Sequence, residues 1–501
     1  MGRTSGTIGD DTPLDSLVFD IPARIGWLLR ISRMCANVSV REMADRLGDV
    51  GVRGVRSPGA VSQVETKGTR NGRMIDGYER ALDLTPGQLR AVVDILCRTF
   101  SYAPADVAPG LDLHDPLREV DEAFAAVEHD PSGSDWLRLA RLLDSSTATP
   151  LPTRLVAPMV ERMLGELVRS VGPAFYLRWD ALARLQDGFY ADVVLDGVQD
   201  LVAQPGAHAV STVALSLTSE RPRTRTLEWL VGLFAQPSYE MFRGAVVGVG
   251  NMRHVGGMSD RDWELVITPF LEAHSRWGRG PRGELLTALF KSLPPSCRSV
   301  VEGRLEHPLR PVRGPASWDP TDNEHWTLCE SLADRAAAQH GLPSQPLLAR
   351  MIFEALYDFR SNVTTSSWLL SVTELAPTLH AGLLAVVNDP PDEESKAGAL
   401  RCVFTSATPA SDQVASAWYG RMPVEGRIEH LGMAEQFALL VPQLALPLLT
   451  DGSGRGSELI RALGSAGQMA ELTAITTDPL VPEELRLSAS WWLAHGARVS
   501  R

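Results

Sequence analysis

Polar and basic side chains concentrate in one stretch near the start of the chain, where their chemistry suits an anionic polymer. Arginine and lysine bind phosphate oxygens, whereas an amide can bond to the edge of adenine through two hydrogen bonds. Gln63 carries such an amide, and Ser62 beside it carries a hydroxyl that can also form hydrogen bonds. Any single arginine is equally well explained as a solvated charge, but a cluster is less easily explained in that way. The basic residues of this stretch include Arg41, Arg53, Arg56, Lys67, Arg70 and Arg73.

Short helices must position these side chains, and the sequence indicates where the helices begin and end. The first should end at Asn37, because asparagine tolerates a positive φ. Ser39 with Glu42 three residues later is a capping box for a second helix, which Gly48 ends. Ser57 caps a third helix, whose first residue is a proline that needs no N–H partner. Further helices are predicted at residues 74–82 and 86–97.

The sequence blocks on these helices resemble the phage-repressor-like helix-turn-helix domains of the XRE family. The second helix carries an S-x-x-E-M-A block at residues 39–44. The third carries V-S-Q-V-E at residues 61–65, and Gly68 closes it. The run GYERALDLTPGQL at residues 77–89 is similar to the fourth helix of the family and the turn into its fifth. Residues 20–100 therefore resemble a five-helix DNA-binding domain.

The resemblance implies roles for particular residues. The third helix would enter the major groove of double-stranded DNA, with basic side chains on the backbone. Arg33 and Glu65 occupy positions that form a structural ion pair in many family members, so we assign them to stability and not to DNA contact. The same docking makes Gln63 the first candidate for contact with a base and Ser62 the second, and it makes Arg41, Lys67, Arg70 and Arg73 candidates for phosphate contacts. The full set of DNA contacts that the resemblance implies is Arg41, Arg53, Arg56, Ser57, Pro58, Gly59, Ser62, Gln63, Lys67, Arg70 and Arg73.

Two features depart from the family pattern. The turn between the second and third helices is enlarged to DVGVRGVR at residues 49–56, which predicts a small basic wing carrying Arg53 and Arg56. The closing block at residues 65–68 is one residue longer than usual, which alters the expected phosphate contacts. Because residues 58–60 are Pro, Gly and Ala, we expect few direct base contacts, with specificity depending on the wing or on DNA shape.

The net charge of the whole chain argues against a DNA partner. The 501 residues carry 48 Lys+Arg against 61 Asp+Glu, a formal charge of −13, whereas phosphate binding needs clustered cations. The distribution is uneven: residues 20–100 hold 13 Lys+Arg and 9 Asp+Glu, a balance of +4, so the remainder sums to −17. An acidic body repels DNA, which favours contact through residues 20–100 alone.

Several classes of protein are excluded by composition. The most apolar stretch, residues 437–449, is interrupted by Pro442 and Pro447, and no run approaches the roughly 20 apolar residues of a membrane span. The N-terminus lacks the apolar segment of a secretion signal. The five cysteines are isolated, with no C-x-x-C, which suits a reducing compartment and predicts neither disulfides nor a zinc site. We expect a cytoplasmic protein with no membrane partner.

The chain beyond residue 100 predicts helices in close succession with almost no strand-like alternation. We therefore expect an all-α fold, in which the helix-turn-helix domain precedes a long α-solenoid-like (HEAT-like) array. A single irregular helical domain is the alternative. The predicted boundaries are a disordered tail at 1–19, the DNA-binding domain at 20–100, a linker with one helix at 101–135, and two parts of the array at 136–310 and 311–501.

No enzymatic motif accompanies the array. The chain contains no G-x-x-x-x-G-K-[ST], H-E-x-x-H or G-x-S-x-G, so we expect no enzyme, no cofactor and no catalytic or metal-binding residues. His325 beside Glu324 and Trp326 is the only local cluster, and packing explains it more simply than a metal does. We expect a homodimer, because repressor-type domains generally read two half-sites as dimers. The array is expected to contribute to dimerisation or to bind a partner, with a peptide, a small molecule or a protein left open as its ligand.

Two hypotheses from different classes follow. The first is a sequence-specific transcriptional regulator, similar to helix-turn-helix regulators of high-GC bacteria, with a helical effector and dimerisation region. The alternative is a protein-interaction scaffold of the immunity or toxin-neutralising type, whose helix-turn-helix is autoregulatory. Salt-sensitive, sequence-selective binding to the promoter of its own gene would favour the regulator over the scaffold.

Overall fold

A computed structural model of the chain consists of α-helices and short 3₁₀ segments, with one isolated β-bridge and no strand among the residues that it describes. This confirms the all-α fold that the sequence predicts. The described residues are 8–13, 19–55, 57–68, 70–100, 102, 116–144, 150–207, 224–256, 258–309, 324–357, 364–451 and 455–501.

The first five helices lie in the segment predicted to bind DNA. They are α1 (Ile21–Cys35), α2 (Val40–Asp49), α3 (Pro58–Lys67), α4 (Gly72–Ala81) and α5 (Gln88–Thr99). Asn37 follows α1 with a φ of 57°, as its sequence position predicts. The predicted end of α2 at Gly48 is one residue short, because the helix continues to Asp49 and the first left-handed residue is Gly51 at φ 81°.

The remaining helices form an array. Its first part contains α6 (Pro116–Glu128), α7 (Gly133–Leu143), α8 (Thr153–Leu167), α9 (Pro173–Asp187), α10 (Ala191–Ala203), α11 (Thr224–Gly232), α12 (Tyr239–Gly256), α13 (Asp260–Trp277), α14 (Pro281–Ser292) and α15 (Pro295–Glu302). Its second part contains α16 (Glu324–Gln339), α17 (Pro346–Tyr357), α18 (Thr364–Ser371), α19 (Ala376–Asn388), α20 (Glu393–Thr405), α21 (Asp412–Gly420), α22 (Val424–Glu429), α23 (Leu431–Phe437), α24 (Gly456–Ser465), α25 (Met469–Thr477) and α26 (Glu483–His495).

The end of the array returns to its beginning. Trp491 on α26 donates from Nε1 to Gln204 Oε1 at 3.2 Å, just after α10. The last residues continue along α8 and α9, where Val499 N donates to the Arg169 carbonyl at 2.9 Å. Arg178 on α9 donates to the Arg501 carbonyl at 2.8 Å. Helices distant in the sequence thereby stabilise one another.

A buried ionic cluster docks α1 on the second part of the array. Arg24 donates to both carboxylate oxygens of Glu354 on α17, at 2.9 and 2.8 Å, and to Asp10 at 3.0 Å. Arg350, also on α17, binds Glu354 at 3.1 Å. The predicted disorder of residues 1–19 is therefore wrong for residues 8–13, because Asp10 is a buried partner of Arg24. We call Asp10, Arg24, Arg350 and Glu354 the docking cluster.

A second ionic cluster joins α5 to the first part of the array. Arg184 on α9 lies 2.5 Å from Asp94 on α5, and Arg98 on α5 lies 2.5 Å from Asp180 on α9. The helix α6, predicted as part of a linker, packs on α7, and α7 packs on α9. The first five helices are thus fixed to the array by buried contacts on two sides.

Candidate nucleic-acid interface

Helix α3 is held by one narrow face and exposes the rest. Ser57 caps it with a side-chain oxygen that accepts from Ala60 N at 3.2 Å, and α3 packs chiefly on α1 and α2. Only Val61 and Glu65 of the helix are buried. The exposed residues are Pro58, Gly59, Ser62, Gln63, Thr66 and Lys67, and Ser57 is exposed as well. The predicted base-contacting residues therefore share an accessible face.

Buried hydrogen bonds fix the orientation of α3. Arg33 on α1 donates to Glu65 at 2.6 Å from Nε and at 2.8 Å from Nη2, and Tyr78 on α4 donates to the same carboxylate at 3.2 Å. Burial alone would lower the pKa of Arg33, but the bonds to Glu65 outweigh it and raise that pKa. Arg33 and Glu65 thus form the pair that the resemblance implies, and their buried side chains cannot contact DNA.

Two glycines allow the backbones of α1 and α3 to approach closely. A Cβ atom on Gly26 would collide with the Glu65 carbonyl. Gly68 ends α3 at a φ of 63°, and a Cβ atom there would collide with the Pro22 carbonyl. A side chain at either position would displace the helix, so these glycines help to set the position of the exposed face.

The predicted wing is an anchored loop. Gly51 and Gly54 both have positive φ, at 81° and 90°, and the valine that follows each of them is buried. Val52 packs against Gly77 of α4, where a Cβ atom would collide with it. Arg53, between the two anchors, is exposed. Arg56 lies outside the described residues.

The predicted phosphate contacts separate into two groups. Arg41, Lys67 and Arg73 are exposed. Arg70 is turned inward: it donates to the Tyr102 carbonyl at 2.9 Å, lies 3.6 Å from Asp94 and is only 12% exposed in its side chain. We correct the prediction for Arg70, because these contacts with the buried Asp94 and with the backbone of Tyr102 give it a structural role.

Sequence reasoning did not identify the residues that orient the candidate interface by docking α1 on the array. Arg24 and Trp27 lie on another face of α1, and Trp27 donates to Gln345 at 3.2 Å while Arg24 enters the docking cluster. These partners are more than 300 residues apart, so no local pattern could have revealed them. A charged residue on the apolar side of α1 was the only available signal.

Comparisons with known proteins add no family. No protein-family model matches the chain, and no curated protein matches it. Within the described ranges, no group of three or more His, Cys, Asp and Glu side chains could hold a metal ion. In the same residues, no helix is both long enough and apolar enough to span a membrane.

Proposed function

We propose that the protein is a sequence-specific DNA-binding transcriptional regulator, in which α3 contacts the major groove of double-stranded DNA. The observation that carries this proposal is the exposed polar face of α3, which Arg33 and Glu65 hold in place from beneath. Arg41 on α2, Arg53 in the loop before α3 and Lys67 at the end of α3 are exposed and would contact phosphates. All three lie within residues 20–100, the part of the chain in which basic residues outnumber acidic ones.

We further propose that the array acts as a cytoplasmic effector and dimerisation region. A single helix-turn-helix domain reads one half-site, so two copies related by a twofold axis would read a palindromic operator. The docking of α1 and α5 on the array supports such a role, because the array would then set the separation of the two copies of α3.

Gln63→Ala tests the role of α3 in base recognition. The full-length chain first selects its preferred sites from a pool of random duplexes, and fluorescence anisotropy then gives its affinity for selected and random DNA. We expect the variant to lose about 1–3 kcal/mol on the selected site and little on random DNA, because an amide contact to a base carries sequence information.

Gln339→Ala is the matched control, since Gln339 is exposed at the end of α16, far along the chain. Equal losses on both DNAs would remove Gln63 from base recognition. Failure of the wild-type chain to prefer any sequence would overturn the regulator and favour the interaction scaffold.

A further inference from the structure

The turn between α13 and α14 carries a concentration of positive charge that the proposed DNA interface does not use. Residues 275–283 read Ser-Arg-Trp-Gly-Arg-Gly-Pro-Arg-Gly, with three arginines in seven residues. Arg276 and Arg279 are exposed and Arg282 is half-buried. We call these three residues the arginine corner. It stands in the part of the chain whose charges sum to −17.

Contacts hold two of these arginines on one aromatic ring. The guanidinium carbon of Arg282 lies 4.2 Å from the ring centre of Trp277, and that of Arg276 lies 5.8 Å from it. Both reach the segment before α12, where Arg276 donates to the Ala235 carbonyl at 3.4 Å and Arg282 donates to that of Pro237. Their positions are therefore set by packing.

The third arginine lies beside a histidine ring. Arg279 Nη2 lies 3.1 Å from His307 Nε2. Among the described residues, none of the three arginines forms an ion pair with a carboxylate, and Glu306 nearby accepts instead from Ser275 at 2.7 Å. A guanidinium has five N–H donors, and each of these groups uses one in the contacts above. Most of their donors remain available to a ligand.

Buried polar atoms without partners line the same turn. Trp277 Nε1, Arg282 Nε and His274 Nε2 make no hydrogen bond within the described residues. His274 is 2% exposed, and a Cβ atom on Gly278 would lie 2.9 Å from its Nε2, so this nitrogen faces the turn. Helix α14 begins directly after Gly280 with no side-chain cap, which adds backbone N–H groups and positive partial charge.

We propose that the arginine corner binds the phosphate group of a small phosphorylated ligand. Arg276 and Arg282 both lie over the Trp277 ring, so their guanidinium groups repel each other. A bound phosphate would offset that repulsion and accept hydrogen bonds from their remaining donors. DNA is the less favourable source of phosphate, because a polyanion meets the acidic surface of the whole array. A small anion responds to charges within roughly 8 Å at physiological ionic strength.

Pyrophosphate tests this site on the full-length chain. Isothermal titration calorimetry and thermal unfolding are measured with pyrophosphate at constant ionic strength, with chloride as the baseline. We expect saturable binding and a raised unfolding temperature. The double variant Arg276→Gln/Arg279→Gln should bind at least tenfold more weakly, while Arg282 is retained because it packs on Trp277 and Phe242.

Arg261→Gln is the matched control, because Arg261 is an exposed arginine at the other end of α13. It should bind pyrophosphate as the wild type does. The proposal is overturned if the wild type binds no better than in chloride or if the double variant binds equally well. A double variant that loses affinity for duplex DNA, in a chain that does not bind pyrophosphate, would also overturn it and assign the corner to DNA. Neither result depends on the function proposed for α3.

Discussion

One buried carboxyl group, that of Glu79, makes the stability of the N-terminal helices depend on pH. It lies on α4 and accepts from the backbone N–H groups of Gly87, Leu89 and Arg90 at 2.6–2.8 Å, where α5 begins. Burial raises its pKa to about 7, although these donors and Arg141 favour the charged form. Repulsion by Asp76, the neighbouring acid on α4, contributes to this raised pKa.

The raised pKa predicts a specific pH dependence. The folded chain retains a proton on Glu79 that the unfolded chain loses above about pH 4.5, so the stabilisation is complete below that pH and is lost as the pH rises through about 7. We expect the stability of the wild type relative to Glu79→Gln to fall by about 1–3 kcal/mol between pH 5 and pH 8. Urea unfolding at both pH values measures it. A difference that is constant or grows with pH would show that the amide donors keep Glu79 ionised.

At the scale of elements, the loop between α2 and α3 repeats a Gly-Val-Arg unit at residues 51–53 and 54–56. In each unit the glycine adopts a positive φ and the valine enters the core. An anchored loop loses less conformational entropy on binding than a mobile one. Arg53 is therefore suited to contact a phosphate beside the start of α3.

Arg53→Ala should weaken DNA binding without affecting folding. A lost phosphate contact lowers the affinity for selected and random duplexes alike, and it reduces the slope of log affinity against log salt by about 0.9. Anisotropy titrations at several salt concentrations measure this slope. Arg335→Ala, an exposed arginine on α16, is the control. If the two variants have the same slope, Arg53 does not contact a phosphate.

Local sequence signals predicted the helices of the candidate interface better than they predicted the contacts of these helices with the rest of the chain. Ser39 and Ser57 cap α2 and α3 as expected, because a cap depends only on residues within one helical turn. The expected capping box at α2 is only half formed, since the Glu42 carboxylate accepts from Arg46 at 2.8 Å. Arg70 was assigned to the surface because its partners Asp94 and Tyr102 lie 24 and 32 residues away. Pairing at such separations depends on packing, which the sequence pattern does not specify.

At the scale of the whole molecule, the boundary expected near residue 100 does not separate two independent bodies. Arg24 and Trp27 face α17 and its flanking residues, while Asp94 and Arg98 face α9. A fragment that ends near residue 105 would expose these groups. Experiments on DNA binding therefore require the full chain, in which the array supports the side of α1 that does not pack against α3.

The contribution of the docking cluster to the attachment of α1 to the array can be measured as a free energy. Burial alone would raise the pKa of Glu354, but Arg24 holds it below its usual value, so the pair is charged at neutral pH. Glu354→Gln leaves two buried guanidinium groups, those of Arg24 and Arg350, to share the single carboxylate of Asp10. Because an uncompensated buried charge is costly, we expect a loss of about 3–5 kcal/mol in urea unfolding. We also expect faster hydrogen exchange at the amides of residues 25–29.

Glu122→Gln is the control, because Glu122 pairs with Arg118 and Arg138 at the surface, where an ion pair contributes about 1 kcal/mol or less. A second comparison separates lost charge from lost packing. The double variant Arg24→Met/Glu354→Leu removes both partners. Its loss of unfolding free energy should be smaller than the sum of the losses in Arg24→Met and Glu354→Leu, because fewer buried charges remain unpaired. If Glu354→Gln is as mild as Glu122→Gln and α1 exchanges at the wild-type rate, the array does not hold the helix that carries α3.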